Sequence, residues 1–586
     1  MYKFNKIHII LLIHILFHSC KENNNINIVG NAKETCLDCH DKMTGFTDAH
    51  LPQNIGCYSC HLGNPNVKEK NEAHKNMVLI PGNLSNASNT CSTTQCHISQ
   101  LDRIQNSLMT TNSGLIGIDK IAFDEIQSSS IFFHIDSLNE SAADAHLKNL
   151  CSRCHLGFEK HKYSPTTELS RGGGCIACHL NYSTSKIDIA DNIHPSIDLN
   201  VDNGKCFGCH SRSSRISTNY EGWYETLESK DEAFNNPQYR ILSDGRLFHK
   251  ANEDIHHINR MQCIDCHPSQ DVMGDGKRYF HSSEAVHIAC EDCHTKKEFK
   301  TVGFDKFDTN NVLDYFLRKY DQKTDKFVST NKGNIPLVNT YFDEKENAFL
   351  ISKISREIHS INKIPLDCSA NDKVHGNLSC NMCHTTWAPK CVGCHTSYDS
   401  KIKKWEELSD DFGYSLPTMG VEYFIADYEI KPAIPGMIMT LDKSKYSGTK
   451  NTPYKKFIRF FSPISAHTSG KSRSCMSCHN DPYALGYGSG KLKLGIKKWE
   501  FIFDYELSEN DNLPMDAWIG FLSKVGNKRY SGHDNFKPLN LSMQKKVLNA
   551  GACLECHTKK DFIKNMVNGN YEKLTKSLSD KCIIPY

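Results

Sequence analysis

Cys36-Leu37-Asp38-Cys39-His40 and Cys57-Tyr58-Ser59-Cys60-His61 open a series that governs the reading of this chain. The Cys-x-x-Cys-His pattern returns at Cys151-Ser152-Arg153-Cys154-His155, Cys175-Ile176-Ala177-Cys178-His179, Cys206-Phe207-Gly208-Cys209-His210, Cys263-Ile264-Asp265-Cys266-His267 and Cys290-Glu291-Asp292-Cys293-His294. A wider copy, Cys91-Ser92-Thr93-Thr94-Gln95-Cys96-His97, lies among them. Four more follow: Cys380-Asn381-Met382-Cys383-His384, Cys391-Val392-Gly393-Cys394-His395, Cys475-Met476-Ser477-Cys478-His479 and Cys553-Leu554-Glu555-Cys556-His557.

Two thiols at this spacing can bond the two vinyl groups of one porphyrin, and the imidazole that follows reaches the iron, so each copy reads as a c-type haem attachment site. With 27 Cys and 30 His in 586 residues, a random order would give roughly 0.06 strict copies, against the eleven present. Zinc sites need Cys-x-x-Cys pairs to meet as fours, and disulfides need only cysteines. Neither explains a His after every second Cys. The wider copy at Cys91 and Cys96 also admits a non-haem role, although its place between two strict copies favours attachment. The expected cofactor is haem c, twelve per chain, with proximal ligands His40, His61, His97, His155, His179, His210, His267, His294, His384, His395, His479 and His557.

Composition fits around that expectation. The apolar residues make up 39% of the chain, thin for a protein long enough to form two to four ordinary domains. Porphyrins must therefore supply much of the core. The expected fold class is a multihaem cytochrome c, mostly short α-helices and loops around stacked haems, with β-rich insertions in the C-terminal half. A formal charge of +2 without a long basic run points away from nucleic acid, and haem propionates would make the holoprotein more acidic than its sequence.

Fifteen histidines outside the motifs and the N-terminal segment are distal-ligand candidates: His50, His74, His134, His146, His161, His194, His249, His256, His257, His281, His287, His359, His375, His467 and His533. Fifteen for twelve irons suffices for bis-histidine ligation almost throughout. His50, His146, His257, His287, His375 and His467 each sit only a few residues from a motif, too near to swing round to its iron, so each is expected to ligate a neighbouring haem. Bis-histidine iron has no open position and a low potential, the properties of an electron carrier. Turnover of a small molecule would need at least one open or weakly held haem.

Residues 1–19 read as an export signal, with Lys3 and Lys6 before an apolar run too short to span a bilayer. Phe17-His18-Ser19-Cys20 resembles a relaxed bacterial lipobox, which makes Cys20 the lipidation site; the alternative is an ordinary signal peptide with an incidental Cys. Lipid anchoring and an extracytoplasmic location, on the outer membrane or cell surface facing periplasm or exterior, follow as expectations. The motifs use 24 of the 27 Cys, leaving Cys368 and Cys582 beside Cys20. These two form a disulfide or remain separate thiols.

The domain reading is linear: 20–295 an octahaem region, 296–370 a β-rich haem-free insertion, and 371–586 a tetrahaem region with two β-rich insertions. Tyr315-Phe316-Leu317, Lys326-Phe327-Val328 and Asn339-Thr340-Tyr341-Phe342 suggest β-hairpins. Val421 to Ile425 and Trp499 to Phe503 suggest the same. Arg171-Gly172-Gly173-Gly174 is read as close backbone approach to a porphyrin or as a plain loop. Met437 and Met439 are read as core, with thioether ligation the rarer alternative.

The runs from Cys263 to Thr295 and from Cys380 to His395 resemble runs in large multihaem cytochromes c of respiring bacteria. The dense eight-motif half is similar in layout to octahaem cytochromes of the tetrathionate reductase group. That second resemblance implies a Lys-ligated active-site haem, and the related ammonia-forming nitrite reductases carry Cys-x-x-Cys-Lys, which this chain lacks. Three functions are carried forward. The first is an electron carrier between a quinol-oxidising membrane complex or another cytochrome and an outer acceptor. The second is a multihaem reductase of a nitrogen, sulfur or selenium oxyanion with one open or Lys-ligated haem. The third is a haem-bearing scaffold, and subunits that join as a homo-oligomer fit any of the three.

Overall fold

The structure is a computed structural model. It describes residues 34–94, 96–127, 131–182, 192–211, 217–320, 324–365, 375–408, 411–446, 454–496, 498–525, 531–557 and 582. The chain forms two compact units. One gathers Met1–Asn112, Arg153–Gly208 and Ser269–Val286; the other gathers Ser113–Ser152, Cys209–Pro268 and His287–Tyr586. Segments distant in sequence therefore build each unit, where the motif spacing suggested boundaries near 295 and 370.

The first unit is made of short helices and loops. Cys36–Cys39, Tyr58–His61 and Ile176–His179 are single helical turns, too short to persist on propensity alone. Contacts between loops hold them: Asn83 and Lys160 exchange two hydrogen bonds at 2.9 and 3.0 Å. The glycine run before Cys175 has a backbone cause. Gly172, Gly173 and Gly174 all adopt positive φ, and a Cβ would lie 2.0 Å from the Phe158 carbonyl oxygen at Gly172 and 2.2 Å from that of Gly82 at Gly174. The run makes protein–protein close packing possible.

The second unit contains helix α1, Ser113–Ala122, packed on helix α2, Ala142–Leu150. Ser141 caps α2 by accepting from the Asp144 N–H, the pattern favoured at helix starts. Further along, β1 (Ala388–Val392), β2 (Cys394–Asp399), β3 (Lys404–Leu408), β4 (Asp411–Ser415), β5 (Thr418–Tyr423), β6 (Tyr428–Asp442), β7 (Lys455–Pro463) and β8 (Phe536–Pro538) carry the main sheets. The larger sheet has the order β3-β2-β6-β5-β8, with β7 also paired to β6, while β1 and β4 pair separately. β2 runs parallel to β6 and its other neighbour is antiparallel.

Alternation of apolar residues along these strands fills two clusters. One holds Phe123, Ala143, Cys394, Trp405, Met439, Leu441 and Phe460; the other holds Val392, Ala433, Ile438, Phe461, Trp518 and Phe536. Burying each large side chain contributes about 1.5–3 kcal/mol. Met439 lies within the first cluster, and Met437 packs against it. A third cluster joins Met382, within the motif at Cys380, to Val421, Leu485 and Tyr487 and to Leu548, which lies on helix α3, Leu541–Cys556.

One expectation needs correction. Tyr315, Phe316 and Leu317 end a helix, Thr309–Leu317, rather than forming a hairpin. Asp308 caps it by accepting from the Asn311 N–H at 2.8 Å, and Tyr315 packs against a cluster of Tyr320, Val338 and Ile351. The cap signal outweighed β propensity. Phe327–Val328 and Thr340–Phe342 are strands, as are most of the two later stretches.

Candidate haem attachment sites

Ten of the eleven strict motifs include a helical turn. In such a turn positions i, i+3 and i+4 share a face, which presents both thiols and the imidazole to one side. The His N–H closes the turn on the carbonyl of the first Cys: 3.0 Å for His40, 2.9 Å for His61, 3.0 Å for His267, 2.7 Å for His294, 3.0 Å for His479 and 2.9 Å for His557. The wider copy makes the same closure, His97 N–H to the Cys91 carbonyl at 3.0 Å. The eleventh strict copy, at Cys391, lies on two strands.

Six motif histidines each face a histidine from elsewhere. Ring centres lie 6.2 Å apart for His40 and His74, 6.3 Å for His50 and His97, 6.0 Å for His61 and His194, 6.2 Å for His256 and His294, 6.3 Å for His267 and His467, and 6.2 Å for His375 and His479. The window is narrow, and most contacts of histidines with other rings run shorter, such as 4.7 Å for Phe46 and His194 or 5.3 Å for His146 and Trp405, with His155 and Phe158 at 6.0 Å. Two imidazoles bound to one metal at about 2.0 Å each, with ring centres about 1.1 Å behind their nitrogens, stand about 6.2 Å apart. The six observed spacings fall at that distance.

Hydrogen bonds orient these rings. Nδ1–H donates to a backbone carbonyl at His61 (Val78, 2.8 Å), His74 (Lys70, 2.7 Å), His194 (Pro195, 2.7 Å), His467 (Ser465, 3.2 Å) and His479 (Val547, 2.9 Å). His179 and His384 donate to the Asp198 and Gly470 carbonyls, both at 2.9 Å. At His256 the acceptor is Asp254, 2.9 Å away. A proton fixed on Nδ1 leaves the Nε2 lone pair for metal. Burial next to His267 pushes His467 down to about 4, so its ring is neutral at ordinary pH. The residue also holds φ of +54°, a region costly for a side chain with Cβ.

Motif cysteines meet one another. In the first unit Cys91 and Cys175 hydrogen-bond; that bond draws the Cys91 thiol down to about 7 and pushes Cys175 up. Cys36 lies close to Cys57, Cys60 to Cys91, and Cys178 to Cys206. The order along the first unit is thus the motifs at 36, 57, 91, 175 and 206. In the second unit His210 neighbours His267, Cys266 neighbours Cys293, and Cys290 hydrogen-bonds with Cys380. The Arg473 N–H donates to the Cys383 carbonyl at 2.8 Å, and the turn Met476–His479 packs on α3, which brings the motifs at 380, 475 and 553 together.

The other distal candidates are placed differently. His146 is buried against Asp119, 3.0 Å from Nδ1, with Phe123 and Trp405 beside it. His134 accepts from the Asp136 N–H through Nδ1, and His359 meets Ser352 through Nε2. His249 meets the Tyr224 hydroxyl, and His257 meets Glu253. His161 is exposed, His287 is buried, His281 precedes the helix Ser282–Ala285, and the His533 N–H donates to Ser531. Asp254, which the sequence reading missed, stands two residues before His256 in the position of a helix cap; the carbonyl acceptors leave no sequence signal.

The export segment, Cys20 and Cys368 lie outside the described residues. Cys582 is a free thiol near Cys553. Among the described residues no group of three or more His, Cys, Asp or Glu side chains could hold a metal ion, and no helix is long and apolar enough to cross a membrane. A porphyrin supplies four nitrogens itself and asks only an axial pair of the protein. Comparison with protein-family models, curated proteins and solved structures gives no match to this chain.

Proposed function

We propose that the chain is a multihaem c-type cytochrome that carries electrons outside the cytoplasmic membrane. The single observation that carries this reading is the set of six histidine pairs with centres 6.0–6.3 Å apart. Each joins a motif imidazole to a second one, the donor set of a six-coordinate haem iron. Haem bound there supplies one-electron redox chemistry at low potential. The chain's own residues attach it through Cys pairs, clamp the axial imidazoles, and fix their tautomer through carbonyls and Asp254.

Proximity between cysteines of different motifs, with hydrogen bonds at Cys91–Cys175 and Cys290–Cys380, supports transfer from haem to haem within each unit, since groups bonded to neighbouring sulfurs are themselves neighbours. His50, His375 and His467 face motifs other than those nearest them in sequence, so each ties its own stretch of chain to a different site. The partners are a redox protein donor and acceptor, with Cys20 lipidated at a membrane surface. Low-temperature EPR of the oxidised protein tests the reading. A wholly low-spin spectrum and rapid reversible reduction of every haem are expected; a stoichiometric high-spin or Lys-ligated signal would favour the multihaem reductase instead.

A further inference from the structure

We infer that the copy Cys391-Val392-Gly393-Cys394-His395 holds no haem, so that the chain binds eleven haems and the sheet around this copy is a haem-free element. The inference rests on reading the remaining copies as haem sites. Those strict copies include a helical turn, whereas these five residues run as β1 and β2, broken at Gly393 with φ of +73°. Cys391 pairs with Phe412 in one sheet. Cys394 pairs with Met439, and His395 with Thr440 and Leu408, in another.

Successive residues of a strand point to opposite faces, and burial follows that alternation here. Cys394 and Thr396 are buried, whereas His395 and Ser397 are exposed. The Cys394 thiol packs in the cluster of Phe123, Trp405 and Met439. A porphyrin bonded to it would need the volume those side chains fill, and its iron would lie across the sheet from His395. Rewinding the copy into a helical turn would break the pairing of β2 with both neighbours. Cys394 is therefore a core residue of the sheet, and the sequence match marks no attachment site.

Peptide mapping of the purified holoprotein by mass spectrometry decides this. The peptide containing 391–395 is expected at its bare mass, with both cysteines open to alkylation after unfolding, and total iron at eleven per chain. Haem on that peptide overturns the inference. A second arm avoids the buried thiol: Cys391→Ser combined with His395→Gln should leave haem count and visible spectrum unchanged, and loss of one haem would overturn it. A protein lacking haem on the remaining motif peptides would instead overturn the function proposed above, a different result in the same experiment.

Discussion

Replacing His467 by Gly separates ligation from folding. His467 sits at φ of +54°, where a residue with Cβ is disfavoured by about 1–2 kcal/mol, so glycine relieves backbone strain while deleting the imidazole. The ring centre lies 6.3 Å from that of His267; with iron between them, the nearest atom of glycine is more than about 5 Å from the metal, beyond any bond. One haem of eleven loses its sixth ligand. About one-eleventh of the low-spin EPR intensity should convert to high spin, carbon monoxide should bind one reduced haem per chain, and added imidazole should restore the low-spin signal. A variant that retains its full haem content, stays wholly low-spin and binds no carbon monoxide would refute the pairing of His467 with His267.

Asp254→Ala removes the carboxylate that accepts from His256 Nδ1 at 2.9 Å and from the Ser469 N–H at 2.6 Å. Loss of such a partner weakens metal ligation about 10–100-fold, and carbon monoxide titration should show one haem binding more tightly by that factor. Gly174→Ala places Cβ 2.2 Å from the Gly82 carbonyl oxygen at a φ of +59°, which should cost at least about 2 kcal/mol; Gly413→Ala, with nothing within 4 Å, should shift the urea midpoint little. Burial alone would raise the Asp144 carboxyl, but the hydrogen bonds from Lys120 and the Asn139 N–H hold it below its ordinary range. A depressed folded value means that its contribution is complete above about pH 4 and is lost as pH falls through the folded pKa. Asp144→Asn should flatten the acid limb of stability against pH, measured by thermal unfolding between neutral pH and pH 3.

How much of this was legible in the sequence differs by element. The tight Cys-x-x-Cys-His grammar is local, so the motifs could be read directly, and the wider copy at Cys91 closes the same backbone bond as the strict ones. The helix ending at Leu317 was misread as a strand because its Asp308 cap was not weighed against its aromatic run. Pairings such as His375 with His479 or His61 with His194 span more than a hundred residues and leave no local trace.

By itself the sequence determined the number and kind of attachment signatures, the surplus of histidines and the balance of charge, because these depend on residue type and spacing alone. Only the tertiary structure decided which histidine faces which, which motif cysteines lie near one another, and that Cys391–His395 lies on strands. Axial pairing needs two imidazoles about 6 Å apart, a distance set by folding remote segments together. Strand or helical turn at one short copy depends on β6 and the apolar cluster of Phe123, Trp405 and Met439, which the pentapeptide does not encode.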